Sequence, residues 1–206
     1  MSALKVYGYA ASRAIRTLWM CEELGVPYEH VKTTTADGGT RKPEFLKINP
    51  AGHIPAIDDG GFTLSESMAI NLYLAKKHGK LYPTDPQAEA KAWQWSFWAM
   101  SELDAPVVRW VVHSALLPPA QRDVKIALEA REAMEWPLQV LDSELAKRQY
   151  LADPNAFTVA DLNVASVLYR LLFVDLAGKP HLEAWLKRCW DRPAAKKARA
   201  LREQPS

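Results

Sequence analysis

The sequence predicts an α/β N-terminal domain, a four-stranded mixed sheet built as βαβ then ββα, followed by an all-α helical bundle. Three observations predict this. Strand-like and helix-like segments alternate as far as about residue 80. The stretch Leu81-Tyr82-Pro83-Thr84-Asp85-Pro86 then loses all periodicity. Every later segment has helical spacing, punctuated by Gly and Pro. The expected domains are residues 1–80, a linker at 81–87, and a helical domain at 88–206.

The elements follow in order. Leu4–Tyr9 reads as a strand, and Arg13–Leu24 as a helix closed by Gly25 and Pro27. Tyr28–Thr33 is a second strand, and a βαβ unit implies that the two run parallel with a right-handed crossover. After the polar loop Thr34–Arg41 comes a short helix, Pro43–Ile48, stopped by Asn49-Pro50. Ile54–Ile57 and Phe62–Leu64 form a hairpin across Asp58-Asp59-Gly60-Gly61. Ser67–His78 is a helix ended by Gly79. In the second part Gln87–Val112, Asp123–Arg148, Thr158–Val174, His181–Asp191 and Ala194–Leu201 read as helices. Thr158 with Asp161 forms a capping box, a folding device rather than a catalytic one.

Composition narrows the functional classes. The chain has 206 residues, 49% hydrophobic and 24% charged, with a formal net charge of +2. That near balance gives no support for a nucleic-acid binder. The local basic run Lys187–Arg202 reads as a solvated terminal helix, or as a surface for an acidic partner. The cysteines Cys21 and Cys189 form no Cys-x-x-Cys pair, and no His/Cys cluster has metal-ligand spacing. No stretch is apolar and long enough for a membrane span. The expectation is a cytoplasmic protein without metal.

Three short stretches bear chemistry. Pro55 interrupts an apparent strand, which removes a ladder donor. The bond before it is either trans at a strand start or cis. In the cis form Ile54 would present its backbone N–H and C=O outward, as a sheet edge does to an extended peptide. Glu66-Ser67 opens a helix, whose free amides and hydroxyl suit a carboxylate, while Glu66 suits an ammonium; plain capping is the alternative. Ser12 stands where the first helix begins, as a cap or as a hydroxyl aimed at an anion over that helix end.

Together these stretches resemble the cytosolic glutathione S-transferase family, in its bacterial type with a serine at the thiol site. "SRAIRTLWMCEELGVPYEHV" is similar to the family's first helix and second strand, and "NPAGHIPAIDDGGFTLSESMAI" to its cis-proline and glutamate-serine segment. "FTVADLNVASVLY" is similar to the capping motif of the second domain. The resemblance implies a thioredoxin-like N-terminal domain and a cis Pro55. It implies glutathione as co-substrate, with Ile54 on its cysteinyl backbone and Glu66 and Ser67 on its γ-glutamyl end. His53 and Arg41 become candidates for the glycyl carboxylate. The loop departs from plant-type members, which carry histidine and lysine there; this chain has Arg41 and Lys42.

Ser12, with Glu22-Glu23 following ten residues on, matches the serine that meets the sulfur. Tyr9 is the alternative partner, since some classes use tyrosine. The implied reaction is thiolate attack on a small hydrophobic electrophile, held between the domains by Tyr9, Trp110 and His113, with Leu116 and Leu117 nearby. The resemblance also implies a homodimer, joined through the helix from residue 67 and the Trp-rich helix, with Glu102 or Asp104 reaching the neighbour's glutathione. Isomerisation, peroxide reduction and dehalogenation fit the same thiolate, and a noncatalytic binding protein is the reading from another class.

Overall fold

The computed structural model describes residues 3–176 and 178–203. Strands β1 (Leu4–Tyr7), β2 (Tyr28–Val31), β3 (Ala56–Asp59) and β4 (Phe62–Ser65) form one sheet in the order β2-β1-β3-β4. β1 pairs parallel with β2 and antiparallel with β3, which pairs antiparallel with β4. The mixed sheet expected from the sequence is therefore present. All four strands are bounded differently from their sequence reading: β2 stops at Val31 rather than Thr33, and β4 runs on to Ser65. β1 stops at Tyr7 because the chain turns at Gly8, and β3 starts only after Pro55, which has no N–H for the ladder. The hairpin turn is the pair Gly60-Gly61, and Asp58 Oδ1 accepts from the Gly61 N–H at 2.7 Å.

Helix α1 (Ala14–Leu24) is buried on most of its faces, including Leu18, Trp19 and Met20. It packs on α3 (Ser67–His78) and on the last helix, α9 (Pro193–Glu203). A short α2 (Pro43–Leu46) lies between β2 and β3. Val6, Ile57, Ile70 and Leu74 complete the core of this unit. Each such side chain contributes about 1.5–3 kcal/mol by leaving water.

The chain divides into two compact units, Met1–Tyr82 with Asp191–Ser206, and Pro83–Trp190. The sequence reading kept residues 88–206 together; the packing of α9 on α1 places that helix with the sheet instead. The basic run near the C-terminus is also not simply solvated. Arg192 and Lys197 pair with Glu23 and Glu22 of α1.

The helical unit begins earlier than expected. Asp85 accepts from the Ala88 N–H at 2.9 Å and Pro86 takes the first helical position, so α4 (Pro86–Trp98) starts inside the expected linker. The continuous helix read from periodicity is interrupted twice. Residues 99–104 are π-helical, α5 spans Ala105–Val111, and residues 112–116 are π-helical again. Pro106 supplies the reason for the first interruption: it has no N–H and its ring crowds the carbonyl one turn back, so the ladder widens. α6 (Val124–Leu145) is capped by Asp123 and carries Pro137 in its interior. α7 (Val159–Val167) and α8 (Pro180–Trp190) complete the unit.

The capping box at α7 does more than end a helix. Asp161 accepts from the Thr158 N–H and hydroxyl at 3.0 Å each, the Leu151 N–H at 2.9 Å and Trp185 Nε1 at 3.0 Å. One carboxylate thus ties the loop before α7 to α8. Burial pushes its pKa up to about 6, against these four donors, which pull it down. An unfolded aspartate titrates near 3.9. Between those two values the folded chain keeps a proton that the unfolded chain has released. Stability therefore falls as pH rises from about 4 to about 6, by roughly 3 kcal/mol. Asp161→Asn is expected to be less stable throughout, because its amide nitrogen faces N–H and O–H donors. Its chemical-denaturation midpoint should also lose most of the wild-type slope across that window. A variant that keeps the slope would assign it to other groups.

Candidate active site

The loop from Gly8 to Arg13 joins β1 to α1 and is wound tightly. Gly8 has φ of 137°, and a Cβ there would meet Ala14 Cβ at 2.7 Å and Ile54 Cβ at 3.4 Å. Only a residue without a side chain fits, and the same contacts bring Ile54 against the loop that carries Ser12. Within the loop, the Ser12 N–H donates to the Tyr9 carbonyl at 2.9 Å, and the Ser12 hydroxyl donates to that same carbonyl at 2.6 Å. Its oxygen accepts from the Ala14 N–H at 3.1 Å. Ser12 therefore caps the first amide of α1, although Arg13, itself in αR conformation, stands between them in sequence. The half-buried Ser12 keeps its oxygen at the positive end of α1.

The Ile54–Pro55 peptide bond is cis. Asn49 Nδ2 donates to the His53 carbonyl at 2.8 Å, which fixes the approach to that bond. His53 itself is exposed. Arg41, in the turn Gly39–Arg41, lies along the same segment: its Nη1 donates to the Ala51 carbonyl at 3.3 Å. A Cβ on Gly52 would fall 2.4 Å from that nitrogen, so the guanidinium rests directly on the backbone. Arg41, His53, Ile54 and Pro55 are thus brought together.

Glu66 and Ser67 open α3. Glu66 adopts φ of 69° and ψ of 109°, outside the regions open to ordinary residues. Such a conformation costs on the order of 1–3 kcal/mol and is concentrated at functional positions. Ser67 is only 4% exposed and accepts from Arg16 Nη1 at 3.3 Å. Arg16 is likewise 4% exposed, and its carbonyl accepts from Asn71 Nδ2 at 3.3 Å. A guanidinium therefore stands beside the free amides of α3. Sequence reasoning missed Arg16. The signal was available: it is a charge inside the helix, one turn beyond Ser12, amid the apolar Ile15, Leu18 and Trp19.

Tyr9 shares the Ser12 loop and is half-buried. Trp110 and His113 belong to the helical unit; the Asp123 N–H donates to His113 Nδ1 at 3.3 Å. Glu102 is exposed, whereas Asp104 is buried. Cys21 is buried, and that burial pushes its thiol up to about 12, so it packs and does not react. Among the described residues, no group of three or more His, Cys, Asp or Glu side chains is placed to hold a metal ion. No helix among them is long and apolar enough to cross a membrane.

Comparison with known proteins decides the family. Residues 2–76 match the family model for the glutathione S-transferase N-terminal domain, and residues 105–193 match that for the C-terminal domain. Glutathione S-transferase 4 of Zea mays is 34% identical over 212 residues, covering 95% of this chain and 91% of the relative. The chain belongs to the glutathione S-transferase family.

Another relative in this family, glutathione S-transferase GstB of Escherichia coli strain K12, is 30% identical, covering 88% of this chain and 90% of its own. Among solved structures, the theta class glutathione S-transferase of Xanthomonas axonopodis pv. citri, with glutathione bound, superposes with a TM-score of 0.89. It is 30% identical and the match covers 96% and 97% of the two chains. Glutathione S-transferase I from maize, in complex with an atrazine glutathione conjugate, superposes with a TM-score of 0.89 at 29% identity over the full length of both.

Proposed function

We propose that this chain catalyses transfer of glutathione to a small hydrophobic electrophile, with Ser12 holding the sulfur as thiolate. The observation that carries the reading is the meeting of two features at one place. The helix-capping hydroxyl of Ser12 lies on a loop packed against Ile54, next to a cis Ile54–Pro55 bond. Solved relatives holding glutathione or a glutathione conjugate support it.

In this reading the cysteinyl backbone of glutathione pairs with the N–H and C=O of Ile54. The γ-glutamyl carboxylate takes the N-terminus of α3 and the Ser67 hydroxyl, with Arg16 adding positive charge beneath. Glu66 accepts from the ammonium. Arg41 and His53 serve the glycyl carboxylate. The electrophile side is assigned to Tyr9 on the loop and to Trp110 and His113 on the helical unit.

A free thiol titrates near ~8.5. Bringing it to the ionised form at neutral pH takes about two units, roughly 2.7 kcal/mol. A hydrogen bond to the charged sulfur supplies roughly 1.5–3 kcal/mol, and the α1 terminus roughly 0.3–1. The two together reach the required scale. The Ser12 hydroxyl donates to Tyr9 O, so it rotates to donate to a bound sulfur, while the Ser12 N–H stays on that carbonyl. The thiol proton leaves to solvent on binding. The thiolate then forms a carbon–sulfur bond as the electrophile's leaving group departs with its electron pair, or as a proton adds where the acceptor is a conjugated alkene.

The experiment is calorimetric titration with glutathione followed by a chlorodinitrobenzene assay. Binding together with turnover is expected. Binding without turnover would reject the transferase reading, and no binding would reject the site. A homodimer is the proposed state, supported by the exposed Trp93 and Phe97, one turn apart on α4, the latter 65% exposed. Sedimentation equilibrium should give twice the 23.1 kDa of one chain, and a monomer would refute it.

A further inference from the structure

The C-terminal helix is strapped along α1 at both ends. At its start Arg192 forms a two-pronged bond to Glu23, near the end of α1, at 2.6 and 2.7 Å. At its end Arg202 Nη1 donates to the Ala10 carbonyl at 3.2 Å and approaches the Ser12 carbonyl at 3.5 Å. Those carbonyls belong to the loop that presents the Ser12 hydroxyl. They are 190 or more residues away in sequence, so no local signal links them.

The loop needs such a partner. Its internal bonds converge on few acceptors: Tyr9 O takes both the N–H and the hydroxyl of Ser12, and Ser12 O takes the Ile15 N–H at 3.3 Å. Ala10 O receives no bond from within the loop among those described, and its acceptor is met by Arg202. Ser12 must give up its hydroxyl bond to Tyr9 O when it turns to a sulfur, which removes one of the loop's own restraints. A guanidinium anchored on α9 holds the loop from outside during that exchange. It also brings positive charge to within 3.5 Å of the Ser12 carbonyl, in the residue whose hydroxyl would meet the anion.

We propose that Arg202 is a positioning residue for the thiol site, fixing the Ser12 loop and favouring the ionised sulfur without touching it. This rests on the Ser12 reading above. It assigns a role in the chemistry to the last helix, which groups with the sheet and not with the helical unit.

The test uses the full chain and its variants Arg202→Met and Arg202→Lys, with two readouts. The first is amide hydrogen exchange in residues 9–13 of the ligand-free protein. The second is thiolate absorbance of the glutathione complex against pH. Arg202→Met should exchange several-fold faster in that loop only, and its apparent thiol pKa should rise by roughly half to one unit. kcat near pH 6.5 should fall several-fold while KM for glutathione stays within about twofold. Arg202→Lys, which keeps the charge and a donor, should recover most of the shift. If the wild type ionises the thiol and Arg202→Met titrates and exchanges as the wild type does, the inference is overturned alone. If the wild type shows no lowered thiol pKa, the Ser12 reading fails and the inference with it. A uniform rise in exchange across the chain would make Arg202 merely structural and also overturn it.

Discussion

Arg192→Met is expected to destabilise the protein by about 2–4 kcal/mol, below the upper end for a fully buried ion pair because the Arg192 side chain itself is 31% exposed. Glu23 has a side chain only 5% exposed, and both its oxygens face Arg192. Trp19 Nε1 donates to the same carboxylate at 3.0 Å, a neutral partner that does not replace a cation. Without Arg192 the carboxylate stays buried beside Trp19, since α1 is packed on α3 and cannot turn it outward. The same change loosens the start of α9. Urea unfolding should show the lower midpoint. The double variant with Glu23→Gln should recover part of the loss, because a neutral amide needs no cation. A single variant within about 1 kcal/mol of wild type, the range of exposed pairs, would show that water already screens this pair.

Ser12→Ala is expected to act on chemistry more than on binding. Losing a hydrogen bond worth roughly 1.5–3 kcal/mol to a charged sulfur should raise the bound thiol's pKa by about 1–2 units. Turnover near pH 6.5 should then fall by roughly 5- to 50-fold, because the thiolate fraction falls in proportion. Glutathione affinity should change little, since the proposed contacts at Ile54, Ser67 and Arg41 remain. The change also removes a cap from the Ala14 N–H, worth about 0.5–2 kcal/mol of stability. Thiolate absorbance against pH separates the effects: an unchanged pKa would remove Ser12 from the chemistry, whatever the stability loss. Tyr9→Phe, titrated beside it, tests the competing donor.

The hairpin at Gly60-Gly61, the capping box at Thr158 and Asp161, and the helix stop at Gly25 were legible because turn and cap chemistry acts across a few residues. Periodicity likewise separated the sheet-forming part from the helical part. Neither could place α9. Its own pattern shows only an amphipathic basic helix; that it covers α1 depends on which apolar face α1 leaves open once the sheet and α3 are in place. Pro106 and Pro137 show the same limit in the other direction. Both lie inside segments whose spacing reads as helix; one coincides with a widened ladder and the other is absorbed in a buried helix interior.

By itself the chain determined its caps, its turns and the approximate place of its strands, because those depend on neighbours along the backbone. Only the tertiary structure decided that Arg16 would reach Ser67, that Arg192 would reach Glu23, and that Arg202 would reach the Ser12 loop. Each of these is a guanidinium crossing 51 or more residues of sequence to a partner that packing brings within reach. The physical reason is that a long charged side chain carries no local preference for its partner. Burial of the surrounding apolar faces selects which oxygen it meets.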